Sequence, residues 1–260
     1  MLKWRLLVLL TYCTTLCTAQ TNALRESKSI KPRYEFIPNQ GQWHPMALYK
    51  TTVPYGNLYL ESTGLMYELT DSADYNQLQN HKHDHSRQGL NTPVKKTALR
   101  LQFEGAHFAP RTYGKGKQEH YFNYFFGTDR DRWATHVHPF SEVVYPEIYP
   151  GVDFEISGQD AIKYQWVIKK PTTDNINKIK IQVNGASSIE IVEKKLVIKT
   201  SCGDLVDDVP FAYQIIDNEI IAIEASYRLS GTVVTYAIEG KINESHPLII
   251  DPKLIFSTYS

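Results

Sequence analysis

The chain has 260 residues, with 28 basic and 28 acidic side chains, 42% hydrophobic residues and three cysteines. This length is sufficient for one large domain or two smaller ones with sizeable cores. The balanced charge offers no basic surface to nucleic acid, so the composition argues against a nucleic-acid-binding protein.

The first 19 residues have the pattern of a secretory signal peptide. Lys3 and Arg5 form a positively charged start, residues 6–10 begin an apolar stretch, and Ala19 precedes the predicted cleavage site before Gln20. This stretch is shorter than the ~20 residues that a membrane-spanning helix needs, and no later segment is long or apolar enough to span a bilayer. We therefore predict export to the cell surface or the extracellular space.

Removal of this peptide leaves 241 of the 260 residues and changes the formal net charge from 0 to −2. Cys13 and Cys17 lie in the predicted peptide, so the exported chain retains only Cys202 and cannot form an internal disulfide. We expect residues 20–33 to be an N-terminal linker and residues 34–260 to form a domain that depends on its hydrophobic core.

Alternating hydrophobic and polar residues dominate this domain. Leu99, Leu101 and Phe103 are separated by polar residues, which is the pattern of a strand with one buried and one solvated face. No dozen residues show a sustained helical period. We predict an all-β, antiparallel, sandwich-like fold, either as one large domain or as two closely packed subdomains with a boundary near residues 145–150. The same alternation recurs in residues 152–156, 162–168, 179–183, 221–223 and 234–238.

Residues 71–93 are polar and predict a long exposed loop. The loop contains His81, His83 and His85, whose imidazoles could bind a transition metal together with Asp84. A flexible loop lacks the rigid support that metal sites usually have, so we favour a solvated tract without a functional metal.

Three further groups of residues could carry chemistry. Asp153 and Glu155 lie two apart on a predicted strand and point to one side, as a paired-carboxylate hydrolase requires, but we favour a solvent-facing position because nothing nearby suggests the burial that raises a carboxyl pKa. His136 and His138 could be two metal ligands, but no third ligand is adjacent. Cys202 could be a nucleophile, yet its neighbours are typical of a turn. No common catalytic motif is present, and we expect no cofactor and no enzyme.

Four aromatic residues in turn-rich segments are candidates for binding a glycan or an extracellular protein: Trp43, Trp133, Tyr145 and Tyr149. Core packing is the alternative for each ring.

Several motifs occur in a characteristic order along the chain. The first contains residues 39–42, which predict a turn whose amide side chains can bond backbone groups. Together they resemble the N-terminal domain of unknown function of exported bacterial proteins that carry SBBP-type β-propeller repeats and gliding-motility-type C-terminal sorting domains. The family offers no catalytic residue to transfer. In such relatives, the segment that resembles residues 256–259 leads directly into the β-propeller. Because the present sequence stops there, we expect the chain to be either a fragment or a stand-alone copy of the domain. The motifs occupy residues 36–43, 123–127, 144–153, 184–186, 209–214, 247–252 and 256–259.

Residues and resemblance together predict a non-enzymatic extracytoplasmic module, structural or adhesive, at the N-terminus of a larger surface or secreted protein. The alternative is a carbohydrate-active enzyme or its sugar-binding accessory module, with Asp153 and Glu155 or the aromatic residues as its functional groups.

Overall fold

The structure is a computed structural model that describes residues 34–83, 93–107, 111–252 and 254–257. These residues belong to one compact unit. The predicted signal peptide, residues 1–19, and the predicted linker, residues 20–33, lie outside the described residues, as do Cys13 and Cys17.

The prediction of an all-β, antiparallel fold is confirmed. The largest sheet in the described chain has fourteen strands, and every pairing within it is antiparallel. In spatial order, its first half contains β1 (Ile37–Pro38), β2 (Ala47–Val53), β3 (Gly56–Glu61), β4 (Gly64–Thr70), β5 (Lys96–Phe103), β12 (Ile181–Asn184), β18 (Val233–Glu239) and β17 (Glu219–Ser230). Its second half continues with β16 (Phe211–Ile216), β19 (Leu248–Asp251), β11 (Lys163–Ile168), β10 (Val152–Ser157), β9 (Phe140–Tyr149) and β6 (Tyr113–Lys117).

The two halves of this sheet are joined on both sides. The long strand β17 pairs with β16 through residues 219–223 and with β18 through residues 224–230, so it passes from one half to the other. At the opposite side, Phe36 and Phe140 form a bridge in which each backbone N–H donates to the other's carbonyl oxygen, at 2.8 and 2.9 Å. The halves therefore enclose a shared core.

Aromatic rings from both halves meet in this core. Phe103 of β5 lies 4.8 Å from Phe154 of β10 and 5.0 Å from Trp166 of β11, measured between ring centroids. The Trp166 indole N–H donates to the Tyr236 hydroxyl of β18 at 3.3 Å, which satisfies a buried donor. The alternation in the sequence explains these positions, because residues 152, 154 and 156 are all fully buried while the residues between them are partly exposed.

Residues 145–150 do not separate two subdomains in the structure. Tyr145 and Tyr149 lie within β9 and are buried in the core that both halves share. The Tyr-Pro-Gly sequence that suggested a boundary instead forms the tight connection to β10, where Gly151 adopts a φ of 77°.

Two smaller sheets, two α-helices and a 3-10 helix at Arg130–Arg132 complete the described fold. The prediction of a loop over residues 71–93 is wrong for its first half, which forms α1 (Ser72–His83), while residues 84–92 lie outside the described residues. The helix has no distinct hydrophobic face, so it has no helical period that sequence reasoning could detect. No helix in the described ranges is both long and apolar enough to cross a membrane. The remaining elements are β7 (Phe122–Tyr124), β8 (Ala134–Val137), α2 (Thr173–Asn177), β13 (Ser188–Val192), β14 (Lys195–Thr200), β15 (Gly203–Asp207) and β20 (Leu254–Ser257).

Candidate aromatic binding surface

Several exposed aromatic rings lie in the residues that flank and join the strands β7 and β8. We call residues 120–138, which contain these strands and their connection, the aromatic hairpin. Four of its rings are 37–58% exposed: Tyr121, Phe125, Phe126 and Trp133. Because folded proteins rarely leave large apolar side chains clustered in water without a functional reason, this hairpin is the strongest candidate for a binding surface.

The density of rings explains why they cannot all be buried. Residues 121–126 contain five aromatic rings, of which only Phe122 and Tyr124 lie within β7, where side chains two apart share one face. Only one face of a two-stranded sheet can pack on the rest of the domain.

The first face of the aromatic hairpin carries a row of rings. Tyr124 lies 6.3 Å from Phe122 and 5.8 Å from Phe126, and the edge of this row contacts Trp43 at 5.4 Å from Tyr124. The ammonium group of Lys50 lies 5.3 Å from the centroid of Trp43 and adds a cation–π contact.

The turn before β2 holds Trp43 against this row. The Asn39 carboxamide oxygen accepts from the Trp43 backbone N–H at 3.1 Å, and its amide group donates to the Ala47 carbonyl at 2.8 Å. Gln42 is almost fully buried and donates to the Pro38 carbonyl at 2.8 Å. These bonds support the prediction that the amide side chains satisfy backbone groups in this turn.

The second face presents Trp133 at the centre of a small aromatic corner. Its ring lies edge-to-face against Phe125 at 5.4 Å, and the Arg130 guanidinium lies 5.5 Å from the indole centroid. The indole N–H donates to the Gly127 carbonyl at 3.3 Å, so its apolar surface remains available to a ligand.

Two histidines flank Tyr121 on the aromatic hairpin. His136 lies 4.5 Å from the Tyr121 ring and His138 lies 5.8 Å from it. His138 Nδ1 lies 3.0 Å from the Gln118 carbonyl oxygen and 3.1 Å from that of His120, so Nδ1 carries the proton that is donated to them. The pair packs on a ring, and no group of three or more His, Cys, Asp or Glu that could hold a metal occurs in the described parts of the chain.

His136 also has a left-handed backbone conformation, with a φ of 56°. Its backbone N–H donates to the Asn123 side-chain oxygen at 2.9 Å, which holds the irregular pairing of β7 and β8 at this point. Residues other than glycine adopt such conformations at a cost, and these conformations are concentrated at functional sites.

A family described as "Domain of unknown function (DUF7948)" matches residues 36–253. The chain belongs to this family. The match covers both halves of the large sheet, the aromatic hairpin and most of the four-stranded sheet. Comparison with curated proteins found no match, and comparison with solved structures found none either.

Tyr145 and Tyr149, two of the predicted binding residues, are not exposed in this family member. Tyr145 is fully buried 5.6 Å from Phe154, and burial raises the pKa of its phenol well above the usual value. The Tyr149 hydroxyl donates to the carbonyls of Glu104 and Lys180 at 3.2 and 3.3 Å, and burial raises its pKa to about 12. Both rings therefore belong to the core.

The predicted carboxylate pair lies on the outer face of β10, but each member has its own lysine. Asp153 lies 2.9 Å from the Lys169 ammonium group, and Glu155 lies 3.4 Å from that of Lys115. Gln165 also donates to Glu155 at 2.7 Å. Each carboxylate is therefore held in a surface ion pair with a different lysine.

The remaining predicted residues are not brought into one site. His81 and His83 lie in the last turn of α1, while Asp84 and His85 lie outside the described residues. Cys202 is buried in the turn between β14 and β15, with its sulfur 3.6 Å from the Lys95 carbonyl oxygen.

Sequence reasoning missed Tyr121, Phe125 and Phe126 as surface residues. The signal was the aromatic run itself, because five rings within six residues cannot all reach a core. It also missed an open cleft of about 600 Å³ beside α2, whose charged lining residues come from distant segments: Glu104, His107, Asp174, Lys178 and Lys180.

Proposed function

We propose that this protein is a non-enzymatic extracytoplasmic module that adheres to a glycan or an extracellular protein through the aromatic hairpin. The observation that carries the proposal is that four rings of the aromatic hairpin, next to its two strands, remain 37–58% exposed. Aromatic side chains with accessible faces dominate binding energy where they become buried by a partner.

The charges around the rings are consistent with this role. Lys50 lies over Trp43 and Arg130 over Trp133, so cations border both faces of the hairpin. These cations would favour partners with hydroxyl or acidic groups beside an apolar surface. The strained conformation of His136 adds a second local feature that the fold alone does not require.

The experiment compares binding by the purified chain and its variants on a glycan array and a panel of extracellular matrix proteins. We expect Trp133→Ala and Phe125→Ala each to weaken binding by about tenfold or more, since central aromatic residues are typical hot spots. Phe211→Ala is the matched control, because Phe211 is 49% exposed on β16, away from the hairpin. Absence of any ligand, or equal losses in all three variants, would refute the proposal.

We further propose that the module is exported and forms the N-terminal unit of a larger protein with a C-terminal β-propeller. The support is the signal-peptide pattern of residues 1–19 and the resemblance of the ordered motifs to the propeller-associated domain. N-terminal sequencing of the secreted protein should begin at Gln20, and the coding region should continue into propeller repeats. A cell-retained protein that starts at Met1 would contradict export.

The alternative role in carbohydrate chemistry has support from the same exposed rings, which suit a sugar-binding accessory module. A hydrolase that uses Asp153 and Glu155 has less support because both carboxylates are paired with lysines. A hydrolysis assay on each bound glycan, repeated with Asp153→Ala, separates the two. Turnover that disappears in this variant would favour the enzyme.

A further inference from the structure

A buried carboxyl group lies where the four-stranded sheet of β13, β14, β15 and β20 meets the large sheet. Asp207 ends β15 and is only 4% exposed. Four tyrosines, each from a different strand of the large sheet, interact with this carboxyl group, and we call the five residues the acid–tyrosine cluster. The tyrosines are Tyr67 of β4, Tyr164 of β11, Tyr227 of β17 and Tyr236 of β18.

Hydroxyl groups from both halves of the large sheet hold the end of β15. Tyr164 donates to Asp207 Oδ2, and Tyr227 donates to the Asp208 carbonyl oxygen at 3.1 Å. The strand β15 in turn pairs with β14 on one side and with β20 on the other. The cluster therefore joins the four-stranded sheet to both halves of the large one.

The Asp207 carboxyl group has no counter-charge. Its Oδ1 atom is shielded from solvent and has no hydrogen-bond partner among the described residues. No basic side chain in that part of the chain forms an ion pair with it, and Lys195 pairs instead with the adjacent Asp208 at 3.1 Å. The charged groups that face it are Asp208 and, on β19, Asp251, and both are acidic. A carboxylate in this place is costly, whereas a neutral acid leaves only an unpaired hydroxyl group.

We propose that the acid–tyrosine cluster is a pH-dependent junction between the two sheets. Protonated Asp207 holds the end of β15, and with it the four-stranded sheet, against the large sheet. Loss of the proton to solvent places an unpaired charge in the core. Local opening of the four-stranded sheet relieves this cost because it exposes the carboxylate to water.

The pKa of Asp207 gives the sign and the range of the change. Burial raises this pKa from 3.8 to about 7; hydrogen bonds from Tyr164 and Tyr227 oppose the shift, and the charges of Asp208 and Asp251 add to it. Because the closed state holds the proton more tightly than an opened state does, the proton stabilises the closed state. This stabilisation is fully present below pH ~4 and is lost as the pH rises through about 7.

The tyrosines do not titrate in this range. Burial, with the nearby Asp207 as a further cause, raises the pKa of each tyrosine of the cluster. Their hydroxyl groups therefore remain neutral, and Asp207 is the member of the cluster that responds to pH.

The four-stranded sheet is the part of the fold that can open separately. The buried residues that it adds to the shared core include Leu196, Ile198 and Leu205, whereas the large sheet supplies most of that core. Opening costs less free energy where fewer buried contacts are lost. Since β20 pairs with β15 at residues 204–207, such opening would also release β20 from its partner.

Native-state hydrogen exchange of the full chain between pH 5 and 9, measured by mass spectrometry on peptic fragments, tests the junction. After correction for the intrinsic exchange rate, we expect the protection of β14 and β15 to fall about tenfold between pH 6 and 8.5 and to level off above pH ~7. The protection of β3 falls as well, since the same proton stabilises the whole fold, but β3 should exchange only through global unfolding. About 1 M urea should therefore accelerate exchange of β3 strongly and that of β14 and β15 only slightly.

Two variants test the groups of the cluster. Asp207→Asn is neutral at every pH and should abolish the dependence of protection on pH in β14 and β15. Tyr164→Phe removes a hydrogen bond that favours the carboxylate, so the pH at which protection levels off should rise by about one unit. Asp217→Asn is the matched control at an exposed acid in the turn between β16 and β17, where asparagine suits a φ of 51°, and it should behave as the wild type.

Equal protection and equal urea dependence of β3 and β15 would show global unfolding alone and would overturn the local junction. A pH dependence that persists in Asp207→Asn would overturn the assignment to this carboxyl group. If that variant failed to fold, an unchanged levelling point in Tyr164→Phe would have the same meaning. No residue of the cluster belongs to the aromatic hairpin, so a failure of the adhesion proposal leaves the exchange result interpretable.

Discussion

In the core, Phe103 lies within 5.0 Å of the rings of Phe154 and Trp166, and all three are almost fully excluded from water. In the aromatic hairpin, Phe125 and Trp133 lie 5.4 Å apart and remain exposed. Ring contacts alone therefore do not distinguish the two regions. The difference is the number of layers: core rings lie between two halves of a large sheet, whereas hairpin rings have a sheet on one side only.

This comparison predicts effects on stability of very different size. Trp166→Ala should lower the free energy of unfolding by about 3–5 kcal/mol, since it leaves a cavity and removes the partner of the Tyr236 hydroxyl. Trp133→Ala should lower it by less than about 1 kcal/mol. Urea unfolding monitored by far-UV circular dichroism measures both. Similar losses would contradict the assignment of the hairpin to the surface.

A second prediction concerns a carboxyl group buried in the same core. Burial raises the pKa of Asp207 to about 7, above its usual value of 3.8, although a hydrogen bond from Tyr164 opposes the shift; Asp208 and Asp251 raise it further. The folded state holds this proton more tightly than the unfolded state does. The stabilisation of the folded state by this proton is therefore fully present below pH ~4 and is lost as the pH rises through about 7. The total loss in the free energy of unfolding is up to about 4 kcal/mol.

Urea unfolding of the wild type and of Asp207→Asn between pH 4 and 9 isolates this contribution from that of other titrating groups. The difference between the two proteins should grow in favour of the variant as the pH rises. A constant difference would show that Asp207 keeps the same charge across this range.

A third prediction tests a ring that packs against the backbone at the edge of the large sheet. Phe140 covers Gly114 of β6 so closely that a Cβ at position 114 would overlap the ring. Gly114→Ala should cost about 1–3 kcal/mol through this overlap. Gly105→Ala is a poor control, because alanine would be strained at the positive φ of this residue. Ala134→Gly on β8 instead measures the cost of a glycine within another strand.

The smallest expected effect is at His136. His136→Gly should change the free energy of unfolding by less than about 1 kcal/mol, because relief of the left-handed backbone offsets the lost contact with Tyr121. His138→Gly has no such relief and loses the bonds to two carbonyls, so it should be more destabilising. If the order were reversed, the conformation at His136 would carry no strain.

The alternation of residues was sufficient to predict the all-β class and many individual strands. Leu99, Leu101 and Phe103 are buried as this alternation requires. It could not predict α1, whose polar residues lack a helical period, nor the connection of both sheet halves by β17 and by the Phe36–Phe140 bridge. Pairing partners distant in the chain leave no mark in local periodicity.

Prediction of the candidate site was correspondingly partial. The turn-rich surroundings of Trp43 and Trp133 make both candidates, and the structure places Trp133 in the aromatic hairpin and Trp43 against it. Tyr145 and Tyr149 meet the same criterion, but both lie in β9 and are buried in the core. A local sequence pattern cannot distinguish a turn that faces solvent from a turn that the opposite sheet covers.

The sequence by itself determined the strand class, the excess of aromatic rings between β6 and β9, and the family motifs, because these depend on local residue order. Only the tertiary structure decided which rings are exposed and which residues surround a buried acid. Tyr67 and Asp207 belong to the distant strands β4 and β15, and only folding brings them together. Burial and proximity are properties of the whole fold, so residue order alone cannot specify them.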